Sequence, residues 1–413
     1  MANRGIRAAC ALASVLIAGS LSTAAPALGE PAGPNPTVVL PEPSGGADVG
    51  TTTLHLVDSK RADPWRPDQP RELMVTVTYP AADTTDHPLA HYVSTEAAPT
   101  ATRGLAAALH LPIDVENLLG FHTNAHTGAP VVATADRGLP VVLFSPGAGV
   151  PRILGTGEAE DLASRGYVVV SIDHTYEALA VEFPGGRIAE GIPSPEDPAQ
   201  AGQWVKAALE ARVADTRFVL DELTALADGE NPDAEQRTLP DGLGRALDLS
   251  HVGMFGHSLG GFTAAEAMAR DTRIDAGVNL DGMVGIGDEV DLAATRGLDR
   301  PLLLMSSQQI ADMEGVEPSW TEFWDDTRGW ARELVLSGSG HYSFTDLETL
   351  VPPIAATVAP DMTGQYIGTI APDRATLATR EYVAAMFDRF LRHRAAPLLD
   401  GPNAEFPEVR YVR

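Results

Sequence analysis

The stretch Val252-Gly253-Met254-Phe255-Gly256-His257-Ser258-Leu259-Gly260-Gly261-Phe262-Thr263-Ala264-Ala265-Glu266-Ala267 decides the reading of this chain. An apolar run enters a G-x-S-x-G pentapeptide and a run of small residues leaves it. That order is the mark of a buried strand, a sharp turn and a helix, with the serine hydroxyl raised above the sheet. Side chains at 256 and 260 would collide as strand and helix close on the turn, and Gly261 serves the same end. The helix start offers unpaired N–H groups and a positive dipole end, where an oxyanion is stabilised. Ser258 is the expected nucleophile.

A serine hydroxyl needs a base, and the base needs an acid to orient it. Downstream, Glu333 to Leu336 reads as a strand, and the Gly-rich loop Ser337-Gly338-Ser339-Gly340-His341 follows it. His341 is the expected base. His174 is the alternative, and His257 reads as structural, pointing away across the turn. Two acids fit the chain order serine, acid, histidine. Asp281 ends the strand Ala276 to Leu280, and Asp312 lies beyond the strand Pro301 to Ser306.

Upstream, the apolar strand Leu139 to Phe144 runs into Ser145-Pro146-Gly147-Ala148-Gly149. Such a turn brings backbone N–H groups close to a ligand. Ala148 and Leu259 are the expected oxyanion donors, through their backbone N–H groups. The strand Tyr167 to Ile172 ends in Asp173-His174, read as a hydrogen-bonded pair shaping the next loop. Two earlier strands, Thr53 to Val57 and Glu72 to Tyr79, bring the count to eight, with helices after most. The expectation is an α/β fold with a mostly parallel eight-stranded sheet and helices on both faces. Gln203 to Leu226 and 373–393 carry helical periodicity. Residues 184–202 read as a loop covering the site, and 227–247 as irregular. Trp320, Phe323, Trp324 and Trp330 read as core.

The 413 residues carry a formal charge of −27, with a pI near 4.6. So acidic a surface disfavours nucleic acid and anionic membranes as partners. Residues 1–29 fit a secretory signal: Arg4 and Arg7, an apolar run Ala8 to Leu21, then small residues up to Gly29. The run is too short for a comfortable membrane span, so no stable anchor is expected. Removing it deletes two arginines and no acid, taking the charge from −27 to −29. The single cysteine, Cys10, lies in this segment. A mature chain without it has no disulfide, thiolate or cysteine metal chemistry. Residues 30–70 read as an extended N-terminal segment, and 71–413 as the catalytic domain with an acidic insert near 184–247. His110, His122 and His126 cluster, the last two at helical metal-pair spacing, but no acid joins them in a metal motif. No metal or organic cofactor is implied, and a monomer is expected.

Four stretches carry a family likeness: Leu139 to Gly149, Asp161 to Val169, Gly256 to Gly261, and Gly338-Ser-Gly-His-Tyr-Ser-Phe-Thr-Asp346. Through them the chain resembles the plasma-type platelet-activating factor acetylhydrolases and lipase-like esterases of the α/β-hydrolase superfamily, over roughly residues 70 to 395. The resemblance implies a Leu-Asp acid after the sixth strand. Leu280-Asp281 matches, making Ser258 nucleophile, Asp281 acid and His341 base. It implies hydrolysis of a small-molecule or lipid ester. A short-chain or oxidised phospholipid, an acylglycerol and a polyester are the competing substrates. The other class of reading is a non-catalytic binder on the same fold. Ser145-Pro146-Gly147 departs from the Ser-His-Gly common in the family.

Overall fold

The computed structural model describes residues 38–109, 113–134, 138–195, 197–285, 292–313, 317–358 and 363–413. The secretory pattern at 1–29, residues 30–37 and His110 lie outside these.

In chain order the strands are β1 (Val38–Val39), β2 (Val49–Ala62), β3 (Pro70–Pro80), β4 (Leu89–His91), β5 (Phe121–Thr127), β6 (Leu139–Ser145) and β7 (Val168–Asp173). They continue as β8 (Ala180–Phe183), β9 (Arg187–Glu190), β10 (Leu247–His257), β11 (Ile274–Leu280), β12 (Leu302–Ser307), β13 (Ala331–Leu336) and β14 (Val409–Tyr411). The main sheet runs β1-β5-β2-β3-β7-β6-β10-β11-β12-β13-β14, with β4 paired to β5; β8 and β9 form a separate hairpin. All eight expected strands are present as one contiguous block, β2 to β13 of that order. The expected count of eight is nevertheless too low. β1, β4, β5 and β14 extend the main sheet to twelve strands among the described residues. The histidine loop therefore does not follow the last strand.

From β7 to β13 the six neighbours run parallel. Strands buried on both faces must be apolar on both, which is why these read as near-continuous hydrophobic runs. In β6, Val141 and Leu143 join one core, and Val142 and Phe144 join the other. The helices Pro198–Ala227 and Leu259–Arg270 cover the first face, through Val219, Leu220 and Met268. The helices Thr156–Ser164 and Pro372–Phe390 cover the second, through Leu162 and Phe387. This is the α/β-hydrolase architecture. The chain moves from β6 outward to β7, then returns to β10 and proceeds the other way. Ligands in open α/β sheets bind at such a reversal, beyond the carboxyl ends of the strands. The serine turn and the Ser145–Gly149 turn are those two strand ends.

Residues 38–70 carry sheet strands, since β2 pairs with β3 along eleven residues of register. Ahead of it, Ser44 donates to Asp161 at 2.8 Å and the Ala47 N–H donates to the Ser164 carbonyl. His122 and His126 lie on β5, a strand, so they do not form a helical pair, and His126 Nδ1 contacts the His87 carbonyl. Trp320 and Phe323 are core residues as expected. Trp330 lies beyond the helix Glu317–Asp326, packed on the other face.

Two carboxyls behind the His341 loop carry unusual protons. Asp346 accepts from the Gly157 N–H and the Tyr92 hydroxyl, both at 3.1 Å. Burial pushes it up to about 7. Burial likewise pushes Glu348 up to about 8, against a smaller downward pull from the Ser343 hydroxyl. An unfolded carboxyl loses its proton near pH 4. The folded protein keeps these protons longer, so their contribution is full below pH 4 and lost as pH climbs through 7 and 8. Buried His174 and His257 act oppositely, but only below their ordinary value of 6.5. Thermal melts should therefore show Tm falling from pH 6.5 to 8, with Glu348→Gln shrinking that fall. A flat wild-type profile would mean that both carboxyls are ionised in the fold.

Candidate active site

One residue separates β10 from the helix Leu259–Arg270. Ser258 has φ 56° and ψ −122°. Positive φ costs a non-glycine residue about 1–3 kcal/mol, so the surroundings must impose it. The Ser258 N–H donates to the Leu280 carbonyl at 2.8 Å, and the Ser258 carbonyl accepts from Gly261 and Phe262. A Cβ at Gly260 would lie 1.9 Å from the Ser145 carbonyl oxygen, and one at Gly256 would lie 2.2 Å from Gly260. At Gly261 it would meet Asn279 Oδ1. The glycines are thus demanded by contact.

β11 pairs with β10 so that His257 faces Leu280 in register. Asp281 follows directly, also at positive φ, 61°. Asn279 braces this turn: its Oδ1 accepts from the Gly282 N–H, and its Nδ2 donates to Gly282 and Met283 carbonyls. Asp281 Oδ2 lies 2.7 Å from His341 Nδ1. Its remaining lone pairs take the Ser307 N–H at 2.6 Å and the Ser307 hydroxyl at 2.9 Å. Both Asp281 and His341 are buried. Asp312 is exposed and accepts from Gln308 instead.

His257 has a partner in the site. Its Nε2 donates to the His341 carbonyl at 2.8 Å, and the two rings sit 4.5 Å apart. A carbonyl only accepts, so Nε2 carries the proton and Nδ1 is left unpartnered. Burial, and then the nearby His341, holds this imidazole well below its ordinary value. His257 stays neutral and fixes the backbone of the His341 loop beside the serine turn. Ser258 Oγ itself has no hydrogen-bond partner among the described residues; such bonds are often long in a free enzyme.

The Ser145–Gly149 turn faces the serine. A Cβ at Gly147 would lie 3.4 Å from Ser258 Cβ. The N–H groups of Ala148 and Leu259 enter no hydrogen bond among the described residues. Both residues line a cavity of about 270 Å³ that Ser258 and Asp281 share. Its walls are mainly apolar: Leu105, Leu154, Trp204, Val205, Phe262 and Tyr342 among them. Residues 191–194 form one side, but the 184–202 segment is not a loop throughout, since it holds β9 and the start of the helix Pro198–Ala227.

His174 is far from free. Its Nε2 contacts Ser145 Oγ at 3.0 Å and its Nδ1 contacts Asp215 at 2.9 Å. Burial, and then Arg212, lowers its pKa. Asp173 pairs with Arg152, so the expected Asp173–His174 bond is absent. Arg212 and Ser307 escaped the sequence reading. The signal for Arg212 is a charge on the buried stripe of its helix, between Leu209 and Thr216. For Ser307 it is a serine pair closing an apolar strand.

A sequence profile of platelet-activating factor acetylhydrolase, isoform II, matches residues 79–375. A probable 1-alkyl-2-acetylglycerophosphocholine esterase of Arthroderma benhamiae is 27% identical over 402 residues, 91% of this chain and 94% of that protein. The platelet-activating factor acetylhydrolase of Gallus gallus is 24% identical, over 50% of this chain and 52% of its own. A ferulic acid esterase from Streptomyces cinnamoneus superposes with a TM-score of 0.74 at 38% identity, covering 92% of this chain and 100% of that one. With its sheet, serine turn and matching profile, the chain belongs to the platelet-activating factor acetylhydrolase, isoform II, family and is a carboxylic ester hydrolase of the α/β-hydrolase fold.

Proposed function

We propose that Ser258, His341 and Asp281 form the catalytic triad of this esterase, with the Ala148 and Leu259 N–H groups as the oxyanion hole. The carrying observation is the bond of His341 to Asp281 at 2.7 Å beside the strained Ser258 turn. His341 Nε2 takes the serine proton as Ser258 Oγ attacks the ester carbonyl. The tetrahedral oxyanion lies between the two N–H groups. His341 then returns the proton to the departing alcohol, and an acyl-enzyme remains. Water, deprotonated by the same imidazole, releases the acid. Asp281 holds the Nδ1–H tautomer and stabilises the imidazolium, remaining ionised throughout.

The substrate we propose is a neutral or zwitterionic lipid-type ester with an apolar group in the cavity. The apolar walls and the full-length likeness to the Arthroderma esterase support this. A hydroxycinnamoyl ester is the second reading. The 38% identity to the ferulic acid esterase and the aromatic Trp204, Phe262 and Tyr342 favour it. The pattern of residues 1–29 supports export from the cell. No helix among the described residues is long and apolar enough to cross a membrane.

Ser258→Ala and His341→Ala should abolish hydrolysis of p-nitrophenyl esters while the melting transition survives. Asp281→Asn should cost about 10⁴ in kcat, the penalty for a wrong tautomer, whereas Asp312→Asn should leave kcat within about twofold. A crippled Asp312→Asn beside an active Asp281→Asn would move the acid. A fluorophosphonate probe should label Ser258, and failure to label would favour a non-catalytic binder. Short-acyl phospholipid, tributyrin, methyl ferulate and a polyester, compared by kcat/KM, separate the substrates. A preference for methyl ferulate by more than about tenfold, or 1.4 kcal/mol, would overturn the lipid reading.

A further inference from the structure

Beneath the proposed oxyanion turn lies a buried polar assembly that the triad does not use. Arg212, 1% exposed, comes from the middle of the helix Pro198–Ala227, inside the acidic insert. Its guanidinium donates to the Gly147 carbonyl at 2.9 Å, to the Pro146 carbonyl, and to Ser145 Oγ at 3.2 Å. Its Nε lies 2.8 and 2.9 Å from the two oxygens of buried Glu177. Ser145 is tied in turn to His174, and His174 to Asp215. Arg71 pairs with Asp215 at 2.6 Å and with Asp63 at 2.7 Å. Although burial favours its neutral form, Arg71 and His174 hold the Asp215 carboxyl far below the usual range.

The Gly147 carbonyl that Arg212 takes belongs to the same peptide group as the Ala148 N–H, and the Pro146 carbonyl belongs to the peptide group before it. In a trans peptide the C=O and N–H point in opposite directions. Seizing the Gly147 oxygen from below therefore turns the Ala148 N–H upward, toward Ser258 and the cavity. A cation on the oxygen also polarises that peptide and strengthens its N–H as a donor. Only a planar fork with five donors serves two carbonyls, a hydroxyl and a carboxylate together; a lysine does not.

We propose that Arg212 is a positioning residue of ester hydrolysis, which aims the Ala148 N–H at the developing oxyanion by clamping the Gly147 carbonyl. This rests on the reading of Ser258 as nucleophile and of Ala148 as donor. The insert helix thus supplies chemistry to the site as well as a wall of the pocket. A purely structural Arg212 would only neutralise Glu177 and fasten the helix to the sheet.

A double-mutant cycle separates the two roles. The Val150 N–H donates to the Gly147 carbonyl, and Gly149 has φ 71°, the signature of a type II turn. Proline suits the second position of that turn, so Ala148→Pro deletes the N–H without disturbing the backbone. Loss of one oxyanion donor costs about 10²–10³ in kcat. Arg212→Lys, a misaiming of that donor, should lower kcat about tenfold to a hundredfold, with KM within about threefold. Affinity for a trifluoromethyl ketone should fall by the same factor as kcat/KM. In the Ala148→Pro background Arg212→Lys should cost almost nothing more, because the group it aims is gone. Should Arg212→Lys fail to fold, Arg212→Gln combined with Glu177→Gln strands no charge and enters the same cycle. An Arg212 variant with unchanged kcat, or losses that multiply in the double variant, would overturn the proposal. Fluorophosphonate labelling of wild-type Ser258 keeps that failure distinct from failure of the nucleophile reading.

Discussion

The backbone of Ser258 is held at positive φ by its neighbours on both sides, and the geometry of the site follows from that hold. Its N–H is spent on the Leu280 carbonyl and its own carbonyl on the first turn of the following helix. The first of these bonds belongs to the β10–β11 pairing, which sets His257 opposite Leu280. One residue further along β11, the chain must emerge at Asp281, beside the serine. A slip of one residue would turn every side chain of the strand to the other face. The serine and the acid are therefore neighbours because two buried strands are in register. His341 reaches Asp281 from a third element.

Much of this was legible in the sequence because burial on both faces leaves a plain trace. β6, β7, β10, β11, β12 and β13 are apolar runs, and their order and their loops were readable. What escaped is polar, short or remote in sequence. β5 reads Phe-His-Thr-Asn-Ala-His-Thr, half exposed and unlike a core strand. β1 has two residues and β14 three, too few to show a period. The two acids stayed equivalent by chain order, because a choice between them needs distances: Asp281 contacts His341, and Asp312 faces solvent. The Asp173–His174 pair shows the opposite error. Adjacency in sequence suggested a mutual bond, yet consecutive residues at a strand end point apart, and each found a partner elsewhere.

The buried charges divide by function of place. Around the serine the acid is shared among hydrogen-bond donors, Ser307 supplying two. Under the Ser145–Gly149 turn, arginines and carboxylates alternate in a closed set, with each buried charge answered. Breaking one such pair by removing a single partner costs about 3–5 kcal/mol, far more than the pair adds over an apolar replacement. Such a set is poor as glue and good as a rigid template. It lies under the turn that brings Ala148 and Gly149 to the wall of the cavity.

Among the described residues the far margin of the sheet is β14, three residues that run antiparallel to β13, with Arg410 among them. Val409 pairs with Leu336 and Tyr411 with Leu334. An uncovered border strand is a template for pairing with another chain. A version cut after the helix Pro372–Phe390 would keep Ser258, Asp281 and His341, yet would lay bare the backbone of a strand whose side chains are Leu334, Val335 and Leu336. β14 thus acts as a selvedge, and its loss would show first as clumping during purification.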